Sequence, residues 1–401
     1  MRVAANTTHG AAPILPGATL GIFGSGQLGR MAAIAAARLG YRVHIFSPDA
    51  QVPAGKIQGP AGKVQSPAGQ VAPFETVADY DDADAIAKFA KAVDVVTLEF
   101  ENVPALATET ASQFAPVRPS GQVLFTTQDR LREKRFLQSI GIPCTQFAPV
   151  TTADELQTAV QQIGTPAVLK TVAWGYDGKG QAKVDSAEQA EQAWEQLDRQ
   201  PAICEGWVAY DCELSMLVAR SPSGEVAAYG PIANQHKNHI LDLSTYPAPE
   251  LAPIAAQAGE ISRAIVEKLD VVGIICVEFF LTTEGRLLVN EIAPRTHNSG
   301  HLTIDACATS QFEQQIRAIC GLPLGSTEPF ASAAMINLLG EVWQQGEPNW
   351  QAALGDPRVR LHLYGKAEAR TGRKMGHITV LAASTDEATR LAQSAYQALA
   401  R

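Results

Sequence analysis

The feature that most constrains the fold is the stretch Leu287–His301, in which an apolar run ends in a carboxylate and opens into a basic loop. The run Leu287–Val289 predicts a strand that holds Glu291 rigidly, and the loop after it offers an anion one guanidinium and two imidazoles. A second apolar run, Ile274–Phe280, contains Glu278, and the residues between the two runs are typical of a hairpin turn. Two carboxylates on paired strands suit a hard divalent cation carried by phosphates. The alternative is a surface hairpin whose charges are satisfied locally.

The length and composition favour a multidomain globular enzyme. A chain of 401 residues is long enough for two or three domains, and its 46% hydrophobic and 18% charged residues are typical of a soluble protein. A net charge of −9 argues against a nucleic-acid partner but allows a local basic pocket for a phosphorylated metabolite. The longest strongly apolar run, Val271–Leu281, is too short to span a membrane, and the six cysteines lack metal-binding spacing. We therefore expect a cytoplasmic protein with reduced thiols.

The first structured unit reads as a strand, a glycine-rich turn, a helix and a second strand. Residues 1–18 predict a flexible extension, Thr19–Phe23 a strand, Gly24–Gly29 a GxGxxG turn and Arg30–Leu39 a helix. Asp49 follows the second strand at the spacing of a dinucleotide-binding unit. An NAD-dependent oxidoreductase is therefore one alternative function, although a single GxGxxG match is a weak signal.

A short tandem repeat follows this unit. Pro53–Gly59 reads PAGKIQG, Pro60–Ser66 reads PAGKVQS, and a third copy begins at Pro67. The unit has neither helical nor strand periodicity, so we interpret residues 51–72 as an insertion in an exposed loop.

The segment Gln128–Ile140 predicts an amphipathic helix. Its apolar residues are expected to face the core and its charged residues to face solvent. Upstream of it, Val93–Phe100 predicts a buried strand that ends at Glu99, and acids at that end of a parallel strand line the ligand crevice of an open α/β sheet.

A strand carrying Lys170 leads into a second glycine-rich turn, Ala173–Gln181. Glycines allow backbone amides to approach phosphate oxygens, so this pattern favours a phosphate clamp, with a tight surface hairpin as the alternative. It is not a Walker loop, because no GxxxxGK[ST] opens a helix. After the next buried strand, Glu205–Val208 can offer backbone hydrogen bonds to a flat base, and Glu213 can bind a ribose hydroxyl.

In this order the motifs resemble the ATP-grasp ligases, and among them the N5-carboxyaminoimidazole ribonucleotide synthetases. The strings that carry the resemblance are GQLGRM (Gly26–Met31), EFENVP (Glu99–Pro104), DRLREKRFL, VLKT followed by GYDGKGQ, NQHKNHIL (Asn234–Leu241), NEIAPRTHNSGH (Asn290–His301), SQFEQ (Ser310–Gln314) and YGKAEARTGRKMGH (Tyr364–His377). The resemblance covers essentially all of residues 19–400. The chain departs from it at Val172–Trp174, at Thr371 and in the tandem repeat.

The resemblance implies an α/β protein with an ATP-grasp fold, a Rossmann-like pre-ATP-grasp domain and a small β-rich C-terminal subdomain. The expected divisions are the extension 1–18, the pre-ATP-grasp domain 19–127, the small ATP-grasp subdomain 128–207, the large ATP-grasp subdomain 208–330 and the C-terminal subdomain 331–401. It also implies a cytoplasmic homodimer.

The implied activity is a ligase reaction of purine biosynthesis. ATP drives carboxylation of 5-aminoimidazole ribonucleotide by bicarbonate through carboxyphosphate, with Mg²⁺, or alternatively Mn²⁺, as the metal. Another ATP-grasp carboxylase or transformylase that acts on a different amine is the nearer alternative, and the NAD-dependent oxidoreductase the distant one.

The resemblance also assigns roles to individual residues. Those implied at ATP are Arg130, Lys170, Gly175, Tyr176, Asp177, Gly178, Lys179, Gly180, Gln181, Glu205, Gly206, Trp207, Val208, Glu213, His236, Asn290 and Glu291. Those implied at the ribonucleotide and bicarbonate are Gln27, Tyr176, Asp177, Arg295, Asn298, Ser299, Lys366, Arg373 and Lys374. Glu278 and Glu291 are implied as metal ligands, and Lys170, Arg295 and His297 as catalytic residues, with either His297 or phosphate as acceptor of the amine proton.

Overall fold

The computed structural model describes residues 12–48, 66–173 and 180–400. Asp49, the first copies of the tandem repeat and the loop residues 174–179 lie outside the described residues. None of the helices in the described ranges is both long and apolar enough to cross a membrane.

The N-terminal unit is a parallel sheet of four strands in the order β3-β2-β1-β4, which confirms the predicted Rossmann-like start of the chain. Every residue is buried in β1, inside the sheet, and in β4, at one end of the strand order, as expected for parallel strands covered on both faces. The strands are β1 (Thr19–Phe23), β2 (Arg42–Ser47), β3 (Phe74–Val77) and β4 (Val95–Leu98), and the helices are α1 (Gln27–Arg38), α2 (Ala83–Ala90) and α3 (Ala105–Ser112).

The second unit is an antiparallel sheet in the order β5-β8-β6-β7. Its strands are β5 (Phe147–Val150), β6 (Ala167–Thr171), β7 (Gln181–Val184) and β8 (Ala202–Gly206). The helices α4 (Gly121–Thr127) and α5 (Arg130–Ser139) lead into it, and α6 (Ala153–Ile163) and α7 (Ala190–Glu195) follow within it. Leu156, Leu169 and Trp194 pack in the core between this sheet and its helices.

The third unit is an antiparallel sheet of eight strands in the order β13-β12-β9-β10-β11-β14-β16-β15. Its strands are β9 (Tyr210–Arg220), β10 (Val226–Lys237), β11 (Ile240–Tyr246), β12 (Gly273–Thr282), β13 (Leu287–Ala293), β14 (Ser332–Leu339), β15 (Val359–Leu363) and β16 (Lys374–Ala382). Its helices are α8 (Ala255–Lys268), α9 (Thr303–Ala306), α10 (Gln311–Cys320), α11 (Trp350–Ala353) and α12 (Thr385–Gln397). Because β11 pairs with β14, the segment 331–401 extends the sheet of the segment before it.

The end of the N-terminal extension is attached to the fold. The backbone N–H of Ile14 donates to the carbonyl of Cys320 over 2.8 Å, and the Tyr41 hydroxyl donates to the carbonyl of Ile14 over 2.6 Å. These long-range hydrogen bonds attach Ile14 to the fold, and the flexibility expected for residues 1–18 stays a prediction.

The described end of the tandem repeat is packed instead of exposed. Ser66 and Ala68 are fully buried, and the Arg30 guanidinium donates to the carbonyl of Pro67 over 3.0 Å. The Gln70 amide also reaches the carbonyl of Gly365 over 2.8 Å. The exposed-loop interpretation is thus wrong for residues 66–70, because this copy bridges α1 and the loop before β16.

Candidate active site

A cavity of about 1080 Å³ is lined by residues from all three units, the first of which contributes the start of α1 and the residues after β4. It brings together seventeen of the predicted site residues: Gln27, Arg130, Lys170, Gln181, Glu205, Gly206, Trp207, Val208, Glu213, His236, Glu278, Asn290, Glu291, Arg295, His297, Asn298 and Lys374. Four predicted residues do not line it: Gly180, Ser299, Lys366 and Arg373. The predicted residues Gly175, Tyr176, Asp177, Gly178 and Lys179 lie outside the described residues.

The predicted hairpin forms, and a β-bulge shapes its cavity end. Glu278 on β12 is the direct cross-strand partner of Glu291 on β13, whereas the next pair is Phe279 with Val289. Asn290 is therefore the extra residue of a bulge, which breaks the strict alternation of side chains between the two faces of the sheet. This explains how the consecutive residues Asn290 and Glu291 can both line the cavity.

The two carboxylates of this pair have opposite pKa shifts. Burial alone raises the pKa of Glu278, but the neighbouring His297, whose Nε2 lies 3.0 Å from Glu278 Oε1, outweighs burial and brings that pKa to about 2. Burial and repulsion from Glu278 raise the pKa of Glu291. Burial lowers the pKa of His297, but Cys276 and Glu278 beside it raise that pKa to about 10. Glu278 and Glu291 therefore repel each other, and a cation bound between the two carboxylates would relieve this repulsion.

Arg295 is fixed by a two-pronged ion pair. Its Nε lies 2.5 Å from Glu101 Oε2 and its second terminal nitrogen 3.1 Å from Oε1. Burial would raise the pKa of Glu101, but Arg295 brings it down to about 2, and Glu101 in turn raises the pKa of the guanidinium. Glu101 follows β4 of the first sheet, whereas Arg295 follows β13 of the third sheet. The first unit therefore positions a guanidinium that belongs to the third. The sequence pattern did not identify Glu101 as a site residue.

A second buried ion pair lies at the phosphate-clamp strand. Lys170 Nζ on β6 lies 2.6 Å from Glu205 Oε2 on β8, and Lys134 Nζ lies 3.7 Å from Glu205 Oε1. Burial favours a raised pKa for Glu205, but Lys134 and Lys170 hold it at about 2. Each carboxylate oxygen of Glu205 thus faces one ammonium group. Lys170 also lines the cavity, and its side chain is 16% exposed.

Helix α5 contradicts the expectation that its charged residues face solvent. Glu133 and Lys134 are 2% and 1% exposed. Lys134 Nζ donates to the carbonyls of Val289 (3.2 Å) and Asn290 (2.6 Å), and Glu133 Oε2 accepts from the backbone N–H of Ile292 over 2.9 Å. These two charged side chains therefore bind the backbone of the bulged strand.

The helical spacing of these residues could have revealed their burial. Glu133 and Lys134 precede the buried Leu137 by four and three residues, so all three lie on one helix face. Burial raises the pKa of Glu133 to about 8.

We expect Lys134→Met to destabilise the fold strongly. The substitution removes two hydrogen bonds to the bulge carbonyls and leaves the buried Glu205 with one ammonium partner, so the free energy of unfolding should fall by about 3–5 kcal/mol. Chemical denaturation measures this loss. Arg135→Met, at an exposed position of the same helix, is the matched control and should change stability by less than about 0.5 kcal/mol. Equal stabilities of the two variants would contradict the role of Lys134.

The GxGxxG turn does not present free amides to a dinucleotide. The backbone N–H groups of Gly26 and Gly29 both donate to the Glu99 carboxylate, the latter over 2.6 Å. A Cβ on Gly24 would lie only 2.1 Å from the Glu99 side chain, which explains the first glycine of the motif. The helix N-terminus thus binds a carboxylate of its own chain, and this occupancy argues against the NAD-dependent alternative.

One end of the cavity is suited to a flat ring. The exposed Trp207 lies in the segment between β8 and β9, with Lys183 Nζ 4.7 Å from its ring centroid. Tyr210 and Phe280 stack on each other at 4.7 Å and line the same cavity. Nearby, His236 Nδ1 on β10 lies 2.5 Å from Glu213 Oε2 on β9.

Of the three predicted phosphate-binding cations, one reaches the cavity. Lys374, the first residue of β16, lines it. Arg373 donates to the carbonyl of Glu368 over 2.9 Å, and Lys366 Nζ lies 5.7 Å from the ring centroid of Tyr364.

The loop after β13 contains a buried amide aimed at the cavity and a serine turned away from it. Asn298 is 8% exposed, and within the described residues neither its Nδ2 nor its Oδ1 has a hydrogen-bond partner. A buried amide without partners indicates a polar ligand at this point of the cavity wall. Ser299 is fully buried and contacts Ser215 and His297.

Three family models match successive parts of the chain. The ribonucleotide synthetase preATP-grasp domain matches residues 17–128, the ATP-grasp domain residues 135–312, and the phosphoribosylaminoimidazole carboxylase C-terminal domain residues 333–391. Together they confirm the predicted ATP-grasp fold with its preceding and following units.

Relatives also match the chain over almost its whole length. The chain is 42% identical over 374 residues to N5-carboxyaminoimidazole ribonucleotide synthase of Bacillus subtilis, covering 93% of this chain and 94% of the relative. It is 44% identical over 370 residues to the Brucella melitensis protein of the same name, covering 91% and 96%. The crystal structure of N5-carboxyaminoimidazole synthase from Aspergillus clavatus, in complex with ADP and 5-aminoimidazole ribonucleotide, superposes with a TM-score of 0.84 at 32% identity, covering 95% and 98%. The chain therefore belongs to the N5-carboxyaminoimidazole ribonucleotide synthase family of ATP-grasp ligases.

Proposed function

We propose that this protein carboxylates the amine of 5-aminoimidazole ribonucleotide with bicarbonate at the expense of ATP, giving N5-carboxyaminoimidazole ribonucleotide, ADP and phosphate. The observation that carries the proposal is one cavity whose wall includes the Glu278–Glu291 pair, Arg295 and His297, with Lys170 on one sheet and Lys374 on another. Such a cavity can hold a polyphosphate, a small anion and a phosphorylated amine together.

The ATP end of the cavity is assigned to the second sheet and its neighbours. Lys170 and Arg130 supply positive charge toward the phosphates, and Glu205–Val208 supply an edge for the base. Residues 175–181 are proposed to contribute backbone amides to the phosphates. Glu213 and His236 face the ribose, and Asn290 lies beside the phosphates. The Aspergillus clavatus relative is described as a complex with ADP, which supports a nucleotide at the corresponding place here.

Glu278 and Glu291 fit a divalent ion, with Mg²⁺ favoured and Mn²⁺ as an alternative. They offer carboxylate oxygens on paired strands, the donor type that these ions prefer. Burial and then repulsion from Glu278 raise the pKa of Glu291, and a cation would relieve that repulsion. When bound there, the ion would neutralise charge on the ATP phosphates.

The proposed reaction begins with bicarbonate. A bicarbonate oxygen attacks the γ-phosphorus, an O–P bond forms, the bond to the β-phosphate oxygen breaks, and ADP leaves with carboxyphosphate in place. Arg295, held by Glu101, and His297 face this anion and stabilise its charge. Carboxyphosphate then loses phosphate to give CO₂, which the amine attacks as its proton passes to a nearby base. Carboxyphosphate hydrolyses readily, so the reaction requires that water be excluded from the site.

The ribonucleotide is assigned to the part of the cavity bounded by the first and third sheets. Gln27 at the start of α1, Asn298 and Lys374 line this part, and the two unpartnered polar atoms of Asn298 can bind the base or its amine. Tyr176 and Asp177 are proposed as further ligands of the ribonucleotide, as the family resemblance implies. Lys366 and Arg373 are proposed to contribute positive charge near the 5′-phosphate. Ser299, in the loop after β13, is proposed to contribute to binding of the ribonucleotide.

Lys374→Ala should raise the KM for 5-aminoimidazole ribonucleotide by about 10- to 100-fold and leave the KM for ATP nearly unchanged. The reason is the loss of one charge-assisted hydrogen bond to the 5′-phosphate. Steady-state kinetics with each substrate varied in turn measures both constants. Arg370→Ala, at an exposed position of the loop before β16, is the matched control and should leave both constants unchanged. An equal rise in both KM values for Lys374→Ala would contradict the role.

The direct test of the proposed function is ADP release by the purified protein under all combinations of substrates. ADP and phosphate should form only when bicarbonate and 5-aminoimidazole ribonucleotide are both present. ATP turnover supported by formate and glycinamide ribonucleotide, and not by the proposed pair, would instead assign the protein to the transformylase alternative.

We also propose a cytoplasmic homodimer. The support for dimerisation is the family resemblance together with exposed apolar side chains such as Leu15 and Phe330, which are 62% and 66% exposed in the isolated chain. The support for the compartment is the composition and the six cysteines, none of which forms a disulfide.

A further inference from the structure

The motif Ser310–Gln314 begins α10, and its two glutamines are fully buried side chains that bind backbone groups outside the helix. Gln311 Oε1 accepts from the backbone N–H of His297 over 2.9 Å, and Gln311 Nε2 donates to the carbonyl of the same residue over 2.7 Å. A backbone N–H can only donate and a carbonyl can only accept, so these two bonds fix which end of the amide is oxygen and which is nitrogen. The side chain of Gln311 is therefore a two-pronged clamp on the backbone of His297.

His297 needs partners of this kind because it lies between regular elements. Strand β13 ends at Ala293, and the 3₁₀ turn Asn298–Leu302 begins after His297. A residue within an antiparallel sheet satisfies both of its backbone groups by exchanging two hydrogen bonds with the residue that faces it. The Gln311 amide offers His297 the same pair of bonds, so the backbone at this point of the loop is held from α10.

Gly300 shows how closely the loop after β13 packs against the clamp. A Cβ on Gly300 would lie 2.8 Å from Gln311 Cδ and 2.7 Å from Leu217 Cδ2, so this close approach requires glycine. Thr303 Oγ1 donates to the carbonyl of Gly300 over 2.6 Å and accepts from the backbone N–H of Gln311 over 2.9 Å. The loop therefore lies directly on the first turn of α10.

The clamped backbone carries side chains of the cavity wall. Arg295, His297 and Asn298 all line the cavity. We propose that Gln311 is a positioning residue, whose amide sets where these three side chains stand relative to the reacting anion and the ribonucleotide. The inference rests on the proposed function for the identity of the substrates, whereas the clamp itself is a feature of the fold.

The expected consequence is a loss of rate with little loss of ATP binding. Groups that stabilise developing charge are effective only where that charge forms, and a displacement of about 1 Å can cost about 100-fold in rate. Binding of the ATP phosphates is assigned to the second sheet and its neighbours, so it should not depend on the clamp.

Gln314 offers a matched control, because it makes the same kind of clamp elsewhere. Its Oε1 accepts from the backbone N–H of Gly325 and its Nε2 donates to the carbonyl of Gly325, both over 2.8 Å. Neither Gln314 nor Gly325 is among the described residues that line the cavity. Gln311→Met and Gln314→Met thus remove the same pair of bonds from the same helix, and only the first removes them beside the cavity.

Steady-state carboxylation by the whole protein is the first test. Gln311→Met should lower kcat by about 10- to 100-fold and leave the KM for ATP nearly unchanged, whereas Gln314→Met should leave both constants unchanged. Both variants should unfold at a lower temperature than the wild type, because each leaves buried backbone groups without partners. Equal kcat values for the two variants would overturn the proposal and make Gln311 a purely structural residue.

Gly300→Ala tests the same contact without changing the glutamine. The added methyl group must displace the loop or the Gln311 amide, so this variant should also lower kcat and leave the KM for ATP nearly unchanged. A wild-type kcat in Gly300→Ala would contradict the claim that packing of the loop against Gln311 sets its geometry.

Hydrogen–deuterium exchange, measured by mass spectrometry, separates this proposal from the proposed function. Exchange at the His297 backbone amide should be faster in Gln311→Met than in the wild type and unchanged in Gln314→Met, which should instead speed exchange at Gly325. Unchanged exchange at His297 in Gln311→Met would overturn the clamp. This exchange pattern in a protein that does not carboxylate 5-aminoimidazole ribonucleotide would confirm the clamp and refute the proposed function.

Discussion

Glu291→Gln should abolish nearly all ATP turnover while making the free protein more stable. Loss of one carboxylate from the proposed metal site should lower kcat by about 10²–10³-fold, the effect of removing one group that stabilises developing charge. Glu278→Gln should lower kcat similarly, because the two side chains are direct cross-strand partners. ADP release at saturating substrates measures both effects.

The gain in stability follows from the pKa of Glu291. Burial and repulsion from Glu278 raise this pKa in the folded protein, so the folded state holds the proton more tightly than the unfolded chain. The stability that the protonated group contributes is lost as the pH rises through the folded pKa. Glutamine is neutral at every pH, so Glu291→Gln should unfold at a higher temperature than the wild type, by a margin that grows with pH.

Glu284→Gln is the matched control for this prediction. Glu284 lies in the turn of the same hairpin with its side chain 71% exposed, and its substitution should change neither kcat nor the unfolding temperature appreciably. If Glu291→Gln kept full activity, or lowered the unfolding temperature at high pH, the carboxylates would not form a strained pair that binds metal.

Arg295→Met should lower kcat about 10³-fold, the size of contribution that an arginine makes to a phosphoryl-transfer transition state. It should also destabilise the fold by about 3–5 kcal/mol, because it leaves the partly buried Glu101 carboxylate without its partner. Arg295→Lys keeps the charge but loses the two-pronged contact, so its kcat should lie between those of Arg295→Met and the wild type.

A second substitution separates catalysis from stability. In the double variant Arg295→Met with Glu101→Gln, no charge is left unpaired, so most of the lost stability should return while kcat stays low. Denaturation curves and ADP release on the four proteins of this cycle measure both quantities. Recovery of activity in the double variant would show that Arg295 acts only by holding Glu101.

The hairpin carrying Glu278 and Glu291 could be predicted because each strand is an apolar run that carries one carboxylate, and a short turn joins the two runs. The bulge at Asn290 could not, because it depends on Lys134 and Glu133 from a helix some 150 residues earlier in the chain. An analysis of amphipathic periodicity assigns charged residues to the solvent-exposed face of a helix. Lys134 and Glu133 are buried instead, because they form hydrogen bonds with backbone groups of a strand that is distant in sequence.

The same limit explains the GxGxxG turn. Its glycines and the helix after it were predictable, but the motif alone does not say which anion the amides bind. The answer, Glu99, comes from the end of another strand of the sheet. Similarly, Ser299 stands in a motif with Arg295 and His297, yet it turns away from the cavity, because its partner Ser215 lies inside the same eight-stranded sheet, on β9.

The most direct measurement of the central claim follows ¹³C-bicarbonate into product by NMR, with ADP measured in the same sample. We predict one new carbamate carbon, bonded to the amine nitrogen of 5-aminoimidazole ribonucleotide, for each ADP formed, and neither product when the ribonucleotide is omitted. ADP formed with the ribonucleotide present, but with no ¹³C on its amine, would contradict the claim that this cavity joins bicarbonate to that amine.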